Sequence, residues 1–74
     1  MKENKRDRME LQGIVIDEAN GKFRVKINDN HIVLATLSGK VRKNLIRIIL
    51  GDLVICEVSE YDTSMGRIVR RVKN

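Results

Sequence analysis

The ten residues Ser38-Gly39-Lys40-Val41-Arg42-Lys43-Asn44-Leu45-Ile46-Arg47 carry four cations and no acid. Guanidinium and ammonium groups at this density do one kind of chemistry well: they neutralise and hydrogen-bond the oxygens of a polyanion. A second stretch, residues 67–73, adds Arg67, Arg70, Arg71 and Lys73, again with no acid among them. These two stretches hold eight of the 15 positive charges, in a chain of net charge +5 and sequence pI about 9.8. The expected partner is structured RNA. Neither stretch has the length or the apolar face of an amphipathic helix, so no membrane partner is expected.

Other chemistries lack their residues. His31 and Cys56 are the only residues of their types, which cannot build a zinc site. No Ser-His-Asp or Cys-His arrangement can be argued from them, and no glycine-rich phosphate loop is present. Asp17 and Glu18 are adjacent acids, but neighbours on a strand point to opposite faces. No enzyme, cofactor or metal is therefore expected. Cys56 lies in the run Val54-Ile55-Cys56-Glu57-Val58 and reads as a small core residue, while the lack of a disulfide framework fits a reducing compartment. His31 remains a candidate RNA contact, since imidazole can stack on a base.

The elements that must position these cations are short strands. Residues 1–8 read as a basic, mobile arm, and residues 9–74 as one domain with a thin core, because a chain of 74 residues buries only about 60% of its unfolded surface. The N-terminus is polar through Glu10, unlike a signal peptide, and no run approaches the ~18 apolar residues of a membrane span. Met9 to Asp17 is the first predicted strand, with Leu11, Gly13 and Val15 facing in and Ile14 and Ile16 out. Gly13 marks a bend or a close backbone approach. Asn20-Gly21 is a hairpin signal. Lys22 to Asn28 alternates cleanly: Phe23, Val25 and Ile27 inward, Lys22, Arg24 and Lys26 outward as a basic stripe. Asn28-Asp29-Asn30 reads as a turn, and His31 to Leu37 as the third strand.

Ser38 is the expected cap of a one- or two-turn helix from Lys40 to Leu45. A helix that short must lean on the strands, and Val41, Leu45 and Ile46 are the apolar residues available for it. Gly51-Asp52 is a turn. Leu53 to Ser59 is the fourth strand, with Val54, Cys56 and Val58 on one face and Ile55 exposed on the other. Residues 59–66 read as a polar loop, and Arg67 to Val72 as the fifth strand, with Ile68 inward and Arg70 at the point where the strand leaves the barrel. The class is all-β: a five-stranded OB-fold barrel with a short helix between strands 3 and 4.

At this level of detail the chain resembles bacterial and organellar translation initiation factor one. The stretches that carry the resemblance are Glu10-Leu11-Gln12-Gly13, Phe23-Arg24-Val25, Ser38 to Asn44, Ile46-Arg47-Ile48, Gly51-Asp52, Tyr61-Asp62 and Gly66-Arg67-Ile68-Val69. They span residues 9–71. The resemblance implies an S1-like barrel that binds the A site of the small ribosomal subunit, beside the decoding adenines of its 16S-type rRNA, and that works with the other initiation factors. It implies no DNA partner, a monomer when free, and a place in a prokaryotic cytoplasm or an organelle stroma or matrix. By match to the family it assigns rRNA contact to Arg24, Lys40, Arg42, Lys43, Arg47 and Arg67. Lys26, His31, Asn44, Tyr61, Arg70 and Arg71 complete the candidate RNA-binding set. The chain departs from the family at Thr36, where histidine is common, and at Leu45 and Arg70, where aromatics are common. With only Phe23 and Tyr61 as rings, base stacking is expected to be weaker. A cold-shock-like single-strand RNA chaperone on the same fold is the alternative, but that class binds through a row of aromatics.

Overall fold

The computed structural model describes residues 8–72. The predicted arm lies outside them except for Arg8, which already begins the first strand. The elements are β1 (Arg8–Ala19), β2 (Lys22–Asn28), β3 (His31–Leu37), α1 (Gly39–Lys43), β4 (Leu53–Ser59) and β5 (Asp62–Arg71). The strands close into a barrel in the order β1-β2-β3-β5-β4, with β4 returning to β1. Every pairing is antiparallel except β3 with β5. This is the five-stranded OB-fold the alternation implies.

β1 closes the barrel by serving two neighbours. Its first half pairs with β4, from Arg8 opposite Ser59 to Ile14 opposite Leu53. Its second half pairs with β2, from Ile14 opposite Lys26 to Ala19 opposite Lys22. Gly13 sits at the changeover, where a Cβ would lie 2.7 Å from the Lys26 carbonyl oxygen and from side-chain atoms of Val25 and Ile27. Only a residue without a side chain lets the strands cross that closely. The Asn20-Gly21 turn has both residues at positive φ, 55° and 79°, as a tight hairpin of this hand demands. Asn30 N–H donates to Asn28 Oδ1 at 2.8 Å, which fixes the next turn.

The inward positions make one core: Val15, Phe23, Val25, Val33, Ala35, Val54, Cys56, Val58 and Ile68, joined by Val41 from α1 and Ile48 from the segment after it. The core is mostly valine and isoleucine, as a narrow barrel with β-branched strands favours.

Four expectations are corrected. The predicted loop 59–66 is mostly strand: only Glu60 and Tyr61 turn, and β5 runs ten residues from Asp62. Its ladder partners are backbone groups of β3 and β4, so polar side chains on the outer face do not oppose it. Arg70 does not mark an exit from the barrel. A register shift places Ile68 opposite Cys56 but Arg70 opposite Ile55, so Val69 is an extra residue that turns Arg70 outward while the pairing continues. Ile55 is buried, not exposed, flanked in register by Gln12 and Arg70. Finally, Leu45 supplies no packing to the helix: it is 89% exposed.

Candidate nucleic-acid interface

The basic connector between β3 and β4 is a short helix fixed at both ends. Ser38 Oγ accepts from Val41 N–H at 3.2 Å, the N-cap bond that the sequence anticipates. Ser38 N–H itself donates to the Ile68 carbonyl at 3.0 Å, so the cap is tied to β5. At the other end Ile46 N–H donates to Val41 O and Leu45 N–H to Arg42 O, at 3.1 and 3.2 Å. That pair of bonds is the Schellman arrangement. Its apolar contact is supplied by Val41, fully buried, and Ile46, packed against the core. Leu45 occupies the left-handed position, φ 56°.

Fixing the helix this way leaves Lys40, Arg42, Lys43 and Arg47 on its outside, all exposed. Among the described residues none of these four side chains forms a hydrogen bond or ion pair. Asn44, the C-cap, uses its backbone N–H within the helix and leaves its side chain exposed. The result is a compact cationic ridge with no internal counter-charge, suited to a phosphate backbone.

The β5 arginines are differently placed. Arg67 Nη2 and Nε both bond Glu57 Oε1, at 2.8 and 3.1 Å, and Arg8 Nη1 reaches the same oxygen at 3.4 Å. Arg70 Nη2 pairs with Glu10 at 3.2 Å. Arg71 Nη1 donates to the Arg47 carbonyl at 3.1 Å, linking the segment after α1 to β5. The residues that sequence reasoning misses are thus Glu10 and Glu57. No local pattern announces them; the barrel register does, by setting Glu57 opposite both Glu10 and Arg67.

The remaining candidates are spread around the barrel. Lys22, Arg24 and Lys26 are exposed on β2 as expected, with Lys26 3.5 Å from Asp29. β2 runs antiparallel to β3, with Phe23 opposite Ala35, so the start of this stripe adjoins the end of the barrel from which α1 departs. His31 Nε2 donates to the Thr63 carbonyl at 2.7 Å; it staples β3 to β5, on the strand end away from α1. Tyr61 is 79% exposed in the β4–β5 turn, whereas Phe23 is in the core. Cys56 is fully buried and its thiol is pushed up to about 11 by desolvation, so it stays protonated at neutral pH and is no nucleophile. No group of three or more His, Cys, Asp or Glu that could hold a metal occurs among the described residues.

Comparison with known proteins places this geometry. The family model described as translation initiation factor 1A / IF-1 matches residues 2–74. The solution structure of translation initiation factor IF-1 from the Wolbachia endosymbiont strain TRS of Brugia malayi is 42% identical, with a TM-score of 0.78, covering 96% of this chain and 85% of that one. The crystal structure of YloQ, a circularly permuted GTPase, has a TM-score of 0.74 at 17% identity, covering 97% of this chain and 25% of that one; at that identity the likeness is one of fold alone.

Proposed function

Because the chain belongs to the translation initiation factor 1A / IF-1 family, we propose that it binds the A site of the small ribosomal subunit through rRNA contacts and assists assembly of the initiation complex with the other initiation factors. The observation that carries this reading is the ridge of Lys40, Arg42, Lys43 and Arg47, exposed and without an internal acid, on and just after a helix capped at both ends. A ridge already rigid loses little entropy on docking. The proposed mechanism is occupancy: the barrel fills an RNA pocket and excludes another ligand by volume, while the cations supply affinity through counterion release. Arg42 and Arg47 are the residues proposed for planar contacts, since guanidinium both stacks and bonds. The site of action is wherever small subunits are loaded, a prokaryotic cytoplasm or an organelle stroma or matrix.

The cold-shock alternative needs a row of surface aromatics, and burial of Phe23 leaves Tyr61 as the one exposed ring. The test is chemical footprinting of purified small subunits with and without the protein. Altered reactivity at the decoding adenines is expected; tight binding to poly-pyrimidine with no change on the subunit would refute the reading.

A further inference from the structure

We propose that Leu45 is an apolar wedge, carried at the crest of the connector, that inserts against the bases of the RNA which the connector grips. The inference rests on the RNA reading above and assigns a residue within it.

Two independent features of Leu45 are unfavourable for the isolated domain. It is 89% exposed, more than any other large apolar side chain among the described residues. Its φ is 56°, where a Cβ crowds the following carbonyl and where glycine or asparagine normally ends a helix. Among the described residues the other non-glycine residue at positive φ is Asn20, a type that tolerates the region. Nor does the cap need the leucine side chain, since Ile46 and Val41 supply the apolar contact there. The side chain therefore gains nothing from the fold and strains the backbone that presents it. Strain held at an exposed position is a feature of binding sites.

The surroundings say what would cover it. Arg42, Lys43 and Asn44 precede Leu45 and Arg47 follows, all exposed and with no acid among them. A partner that buries this leucine also meets those cations, and an RNA neutralises them as it does so. Apolar side chains of this size enter between base steps and partly unstack them, and bases already unstacked in a folded RNA offer an apolar face to the same side chain. The cations hold the backbone while the leucine takes up the base.

The test is equilibrium binding of the full chain to purified small ribosomal subunits at several salt concentrations, with thermal unfolding of the same proteins. The variants are Leu45→Gly and Leu45→Asn, which relieve the backbone, and Leu45→Met, which keeps an apolar side chain. The two relieving variants are expected to unfold at the same temperature as the parent or up to several degrees higher. They are expected to bind about 10-fold more weakly or worse. The slope of log Kd against log salt should not change, because an uncharged contact releases no counterions. Leu45→Met should bind within a few-fold of the parent. Parental binding by Leu45→Gly overturns the wedge, as does a Leu45→Met variant as weak as the glycine one. A loss that appears only when another initiation factor is present overturns it in favour of a protein contact. If the parent fails to bind subunits at any salt, the RNA reading falls and takes the wedge with it; if the parent binds and glycine is tolerated, only the wedge falls.

Discussion

The connector and the β5 strand are the two basic regions of this barrel, and they differ in what their charges already touch. Lys40, Arg42, Lys43 and Arg47 are exposed on and just after a capped helix, and their side chains form no ion pair among the described residues. Arg67 and Arg70 lie along β5 against Glu57 and Glu10, and Arg71 bonds the Arg47 carbonyl. A run of like charges in a sequence measures potential, and the fold decides how much of it is satisfied internally. The acids that engage β5 lie 10 residues away, at Glu57, and 60 away, at Glu10. The connector escapes them because its cations lie exposed, on and just after a helix whose Val41 faces the core, outside the strand register that sets acids against β5.

The largest expected effect falls on the connector. The double substitution Arg42→Ala with Arg47→Ala should weaken binding to small subunits by about 10-fold or more per residue, the size of a lost charge-assisted hydrogen bond. Its thermal unfolding should stay near the parent, because neither side chain has a hydrogen-bond or ion-pair partner among the described residues. A large loss of stability would erase the distinction between the two regions. Ser38→Ala comes next. Loss of the N-cap should cost about 1 kcal/mol, seen as a drop of roughly 4–8 °C in Tm, and should weaken binding by disordering the ridge. Arg67→Ala should reverse the pattern, with at most about 1 kcal/mol of stability lost from a half-exposed pair and binding within a few-fold. Binding reduced as far as in the connector variants would show that Arg67 leaves Glu57 for the RNA. The smallest effect is expected from Glu57→Gln, which releases Arg67 and should raise affinity about two-fold at low salt, checked by the same binding titration.

How far the sequence discloses this arrangement depends on the range of the interactions involved. Period-two alternation sets the inward faces of β1, β2 and β4 correctly, and Asn20-Gly21 and Ser38 announce their turn and cap through local backbone chemistry. The connector cations are legible because their availability follows from residues beside them. The first half of β5 reads as a loop, since Asp62-Thr63-Ser64 has turn composition and Ser64 N–H bonds the Asp62 carboxylate locally, while the pairings that make it strand, Asp62 with Ser59 of β4 and Met65 onward with β3, are set from outside the segment. The ion pairs at Glu10 and Glu57 and the outward turn of Arg70 depend on register across strands distant in sequence, which no local pattern reports. Helical spacing makes Leu45 a packing residue, but its backbone has already left the helix.

The most direct test of the central claim, that the connector rather than β5 meets the RNA, is the salt dependence of small-subunit binding for the parent, the Arg42→Ala/Arg47→Ala variant and an Arg67→Ala/Arg70→Ala variant. Each phosphate contact contributes about 0.7–0.9 to the slope of log K against log salt. The connector variant should lose one to two such increments and the β5 variant close to none. A connector variant with the parental slope, beside a β5 variant with a reduced one, would contradict the account.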